Sequence, residues 1–189
     1  MAILKIARMG HPALSEICAP VRDPTSPEIK RLIADMIETM EDANGAGLAA
    51  PQVHVPVRLV IFQAPAARSE GRMDDPEAFD HTAPLTVLIN PVIEIVDSTL
   101  EGGWEGCLSV PGMRGWVERP RHIRYSGYDA DGQRMDRNAR GFHARVVQHE
   151  CDHTNGILYP QRMRDVSKLI FESEIRHWLD SNEARRAAE

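Results

Sequence analysis

Apolar residues recur at Ile29, Leu32, Ile33, Met36, Ile37 and Met40, three and four positions apart. That rhythm gives a helix one apolar face and predicts an α-helix over Pro27 to Ala43 whose Met and Ile stripe is core. Ser26 suits the N-cap, Pro27 the first helical position and Asn44-Gly45 the stop. The pattern then changes period. Val57 to Gln63 is apolar and β-branched, which predicts a buried strand. Ala64 to Pro84 is polar and reads as a long surface loop. Leu85 to Asn90 and Val92 to Val96 are strand-like and separated by Pro91. Ile123 to Asp129 and Gln133 to Asp136 flank Asp131-Gly132, a hairpin signal. A second helix is expected over Gly141 to His153, closed by Asn155-Gly156, and a third over Val166 to Leu179. Strands gathered between helices imply an α+β class: mixed or antiparallel sheets packed around a central helix, with an N-terminal and a C-terminal helix.

Length and composition narrow the picture. A chain of 189 residues with 42% hydrophobic positions fits a single domain over 1–189 with a real core. The 28 acidic against 22 basic residues leave a net charge of −6, which argues against direct DNA binding. The cysteines are Cys18, Cys107 and Cys151; an odd, low number does not suggest a disulfide framework. No signal-peptide pattern opens the chain and no stretch approaches a membrane span, so the expected compartment is the reducing cytoplasm.

The chemistry concentrates at the end of the second predicted helix. His149 and His153 are four apart, which puts both imidazoles on one helix face, one turn apart. Glu150 lies about 100° round the helix, placed to reach a metal-activated water without being a ligand. This is the H-E-x-x-H arrangement, and a helix carrying two ordinary histidines, with Glu150 on the surface, is its bland alternative. A catalytic ion usually takes a third protein ligand. The extended pattern with a third histidine fails because position 159 is Tyr. Glu172 and Glu174 sit among basic residues and suit a solvated helix face. Cys107, in a turn-rich polar setting, remains, either as ligand or as a small buried residue. Cys151, about 200° round from His149, is expected to face the core.

Three segments together resemble the peptide deformylase family. They are Gly45-Ala46-Gly47-Leu48-Ala49-Ala50-Pro51-Gln52, Glu105-Gly106-Cys107-Leu108-Ser109 and Gln148-His149-Glu150-Cys151-Asp152-His153. They match that family's G-x-G-L-A-A-x-Q, E-G-C-L-S and Q-H-E-x-D-H motifs at every fixed position and in the same order. Pro111-Gly112-Met113-Arg114 matches as well. The resemblance implies a hydrolase that removes the N-formyl group from the N-terminal formyl-methionine of new polypeptides, releasing formate. It implies one divalent ion per chain held by Cys107, His149 and His153, Fe2+ with Zn2+, Ni2+ or Co2+ as substitutes. Glu150 would be the general acid/base, and the Gln52 side chain and Leu108 backbone N–H would stabilise the oxyanion. Backbone groups near Ala46, Gly47 and Gly106 would hold the peptide as an added strand. Phe142 and Val146, one or two turns before the histidines, are candidates to line the methionine pocket, with ordinary core as the alternative. Arg145 beside them receives no role. Asp152 and Arg114 are candidates to orient the ligands or the Cys107 loop, or plain salt bridges. The expected partners are N-formyl-methionyl nascent peptides and the ribosome, with the mixed-charge C-terminal helix as a docking element.

Overall fold

The buried run Leu59-Val60-Ile61-Phe62 has no polar side, and the fold shows why. In the computed structural model, which describes residues 2–68 and 78–187, this run forms a strand covered on both faces. Val60 and Phe62 pack beneath the helix Gly141–His153, together with Ala49, Leu88, Ala144, Val147 and Cys151. Leu59 and Ile61 point the other way, to the helix Pro27–Asp42, with Leu48, Ile89, Ile33, Met36 and Met40. Alternation of side chains along a strand feeds both clusters from one segment.

We label the strands β1 (Gly47–Ala49), β2 (Leu59–Ala64), β3 (Ala83–Cys107), β4 (Val110–Tyr128), β5 (Arg134–Arg140) and β6 (Leu169–Phe171). The helices are α1 (Pro27–Asp42), α2 (Gly141–His153) and α3 (Ile175–Ala187). The sheet order is β1-β2-β3-β4-β5, with β6 added to β4. Every ladder is antiparallel, which settles the mixed-or-antiparallel alternative; the parallel bridge Ala19–Val57 is isolated. With three helices among the described residues, the fold is α+β as expected.

The predicted ends of α1 hold: Ser26 Oγ accepts the Ile29 amide at 3.3 Å, and Asn44 turns left-handed with φ 52°. The α2 span agrees with its prediction. Pro91 does not divide two strands. β3 runs through it at a register shift between Ile89 and Val92. Asn90 takes φ 53° there, its side-chain amide tied to both backbone groups of Val21 at 2.8 and 2.9 Å. The third helix is also corrected. Val166–Lys168 is a 3-10 turn, Leu169–Phe171 is strand β6, and α3 starts only at Ile175. The loop predicted between Ala64 and Pro84 is shorter than expected, since β2 runs through Ala64 and β3 begins at Ala83; between them lie 3-10 turns at Ala66–Arg68 and Ala78–His81, with 69–77 outside the described residues.

Candidate active site

Helix α2 brings its two histidines together as the spacing requires. The His149 and His153 rings lie 5.0 Å apart, nearly perpendicular, and both are buried. Cys107 arrives at the end of β3, where the chain turns into β4. Its Sγ lies 3.4 Å from His153 Nε2. One donor atom from each of Cys107, His149 and His153 lies within 4.8 Å of the other two. A thiolate and two imidazoles are a donor set that suits a borderline divalent ion such as Fe2+ or Zn2+ and not Mg2+. The fit to an ion has a further sign. Glu150, 4% exposed, aims a buried Oε2 that no protein group hydrogen-bonds. Burial pushes the Glu150 carboxyl up to about 7; Glu105 adds to the rise, and His149 and Arg119 oppose it.

Strand β1 packs directly against this carboxyl. A Cβ at Gly47 would come within 2.4 Å of Glu150 Oε1, so only glycine lets the strand approach. Gly47→Ala is expected to displace the carboxyl and lower kcat/KM about tenfold to a hundredfold, with the metal content unchanged. A turnover assay beside metal analysis checks this; unaltered turnover would show that Glu150 tolerates the shift.

Gln52 sits opposite. Its Oε1 accepts the Ala49 amide at 2.8 Å, and its Nε2 donates to Ser109 Oγ at 3.0 Å and lies 3.5 Å from Cys107 Sγ. The accepting bond fixes which way the amide faces, leaving the NH2 toward the donor cluster. A cleft of about 520 Å3 opens here. Ala46, Gly47, Gln52, Gly106, Cys107, Leu108, Phe142, Val146, His149 and Glu150 all line it, so the sequence-predicted residues converge, with His153 just behind Cys107.

A buried ionic network lies behind the donors. Glu105 Oε2 lies 2.9 Å from His149 Nδ1. If that nitrogen carries the ring proton, Nε2 is left free for an ion. Arg119 grips both Glu105 oxygens, Nε to Oε1 at 2.7 Å and Nη2 to Oε2 at 2.9 Å, and extends Nη1 to Asp152 at 2.9 Å. Burial alone would raise the Glu105 carboxyl, but hydrogen bonds and charge from Arg119 and His149 outweigh it and hold it well below the carboxylate range.

Several expectations are sharpened or overturned. Asp152 is a salt-bridge hub, held by Arg119 and by Arg162 at 2.6 Å. Arg145 does have a place: it lines the cleft and bonds Glu105 at 2.8 Å and the Glu101 and Val117 carbonyls. Glu172 stands apart from the donor cluster and pairs with Arg114. Cys151 is buried, and burial pushes its thiol far up, so it stays a neutral core residue. Sequence reasoning passed over Glu105, Arg119 and Trp104, a cleft-lining indole. Glu105 was in a quoted motif, but nothing in its spacing reveals which way a strand residue faces.

The chain matches the family model described as polypeptide deformylase over residues 3–169. It is 52% identical over 177 residues to peptide deformylase 1 of Bordetella pertussis, covering 94% of this chain and 97% of that protein. Peptide deformylase 2 of Ralstonia nicotianae is 50% identical over 169 residues, 89% of this chain and 92% of that protein. Among solved structures, the class I type b peptide deformylase of Acinetobacter baumannii bound to Met-Ala-Ser is similar, with TM-score 0.74, 36% identity, and 85% and 98% of the two chains covered. The Ehrlichia chaffeensis peptide deformylase in complex with actinonin has TM-score 0.79 and 31% identity over 89% of this chain and 92% of that one.

Proposed function

The chain belongs to the polypeptide deformylase family, metal-dependent hydrolases that remove the N-formyl group from the formyl-methionine of new polypeptides, and from that premise we propose which residues perform each part of the reaction. The observation that carries the assignment is the meeting of Cys107, His149 and His153 beside the buried carboxyl of Glu150. Those three would hold one divalent ion: thiolate and imidazole suit Fe2+, Zn2+, Ni2+ and Co2+ alike, and the resemblance to the family favours Fe2+ with the others as substitutes. When bound, such an ion supplies Lewis acidity, enough to bring the pKa of a water molecule to about 7 and polarise the formyl oxygen.

The remaining steps belong to the protein. Glu150 takes a proton from the attacking water and delivers it to the amine, because an amide nitrogen leaves poorly unless protonated. Gln52 Nε2, held in orientation by the Ala49 amide, and the Leu108 backbone N–H stabilise the charge that grows on the formyl oxygen. Gly47 at the start of β1, Ala46 just before it and Gly106 across the cleft hold the peptide backbone as an added strand. Phe142, Val146 and Trp104 form the apolar wall for the methionine side chain. The Acinetobacter relative bound to Met-Ala-Ser supports a cleft that keeps the deformylated peptide end. Among the described residues no helix is long and apolar enough to cross a membrane.

The test is formate release from formyl-Met-Ala with anaerobic Fe2+, beside acetate release from acetyl-Met-Ala. A formyl carbon bears only hydrogen, so crowding around Cys107 and Gln52 is expected to favour formyl by about a hundredfold. Equal rates on the two peptides would reject this site geometry.

A further inference from the structure

Glu172 lies outside the donor cluster but in the cleft lining. It lines the same cavity as Cys107, as does Arg114. Arg114 Nε donates to Glu172 Oε1 at 3.1 Å and Nη2 donates to the same oxygen. With side chains 38% and 54% exposed, the pair faces solvent and an arriving peptide.

Its position relative to the peptide path follows from Gly106. A Cβ there would lie 2.3 Å from Arg114 Nη1 and 2.8 Å from Cζ, so the guanidinium fills the space a side chain would take. The charge therefore rests against one of the backbone positions assigned above to the peptide. The partner carboxylate is placed by folded structure. Strand β6 sets Ile170 opposite Arg114 and Phe171 opposite Met113, and Glu172 follows at once. Farther on, Trp178 of α3 meets the cleft-lining Trp104 edge-on at 5.1 Å, and Trp104 meets Trp116 at 5.6 Å. The Trp178–Trp104 contact thus fastens the C-terminal segment to the cleft wall, and Trp116 backs Trp104.

We infer that the Arg114–Glu172 pair governs which charge the cleft accepts on the third residue of its peptide substrate, with Glu172 the specificity-determining partner. The inference rests on the deformylase reading above. An extended peptide sends successive side chains to opposite faces at about 3.3 Å per residue. With methionine in the apolar pocket, the third side chain returns to the same face about 7 Å on, and on this inference it seats against the part of the cleft lining that holds the pair. While paired, the two charges cancel for an incoming side chain. Without Glu172, the guanidinium fork is free for a peptide carboxylate and repels an ammonium.

The experiment compares kcat/KM on formyl-Met-Ala-Asp and formyl-Met-Ala-Lys, both as C-terminal amides, for the Fe2+-loaded wild type, Glu172→Gln and Arg114→Gln. The wild type should treat them within about threefold. Glu172→Gln should raise the Asp-to-Lys ratio about fivefold and Arg114→Gln should lower it by a similar factor. Both shifts should shrink in about 0.5 M salt, which screens exposed charges. The ratio is read within one enzyme, so a change in overall activity does not disturb it. A ratio unmoved in both variants overturns the inference and leaves deformylation standing. Failure of the wild type to release formate from any peptide overturns both.

Discussion

Glu150→Gln should lower kcat about a thousandfold and leave the bound metal in place. The substitution keeps shape and volume in a site where the carboxyl is buried against Gly47, so neither strand β1 nor the helix has reason to move. What it removes is the ability to accept and return a proton, and general acid–base catalysis contributes about 10²–10⁴ in rate. Cys107→Ala should fail differently. It deletes one of three donors, so metal and turnover fall together. Metal content by elemental analysis and formate release on the same samples separate the two. Metal lost from Glu150→Gln would make that residue a ligand, and turnover kept at the wild-type level would place proton transfer elsewhere.

Helix α2 and strand β1 differ in how much of them the sequence reveals. Helix α2 was legible to the residue, because a four-residue histidine spacing has chemical meaning only on a helix and Asn155-Gly156 marks its end. Strand β1 was not. It is three residues of Gly, Leu and Ala, with no alternation and poor strand propensity. It pairs because β2 offers it an edge and Glu150 tolerates no side chain at Gly47. The segment after Val166 misled for a related reason. Its mixed charges resemble a solvated helix, but Leu169, Ile170 and Phe171 add to the edge of β4, a tertiary contact that local pattern does not encode. The donors were legible for a different cause. Cys107 joined the histidines through motif resemblance, since a cysteine 42 positions before His149 has no periodic relation to it. The support behind the donors was the least visible part. Arg119 lies on β4 in a stretch rich in charge, and its burial depends on Glu105 and Asp152 arriving from β3 and α2.

That buried arginine carries the other large expectation. Arg119→Leu should cost about 3–5 kcal/mol of stability, because removing one member of a buried ionic group leaves the others desolvated and undercompensated. For a chain of this length that corresponds to a fall of roughly 10 °C in Tm. Glu105 would keep Arg145 at 2.8 Å, and Asp152 would keep Arg162, so the loss is partial and the fold should survive. Arg119→Lys should recover little, since an ammonium cannot grip both Glu105 oxygens and reach Asp152 as well. Stability alone does not explain the arrangement, because apolar residues of similar volume often serve a core as well or better. The network ends on His149 Nδ1, where a carboxylate accepting the ring N–H would fix the tautomer and direction of the imidazole. Metal affinity should therefore fall about 10–100-fold in the folded Arg119→Leu protein, beyond the change in melting. Chelator competition on the folded variant measures that part separately. Wild-type affinity with a lowered Tm would reduce the network to a structural device; wild-type values of both would mean that Arg145 and Arg162 carry the group without Arg119.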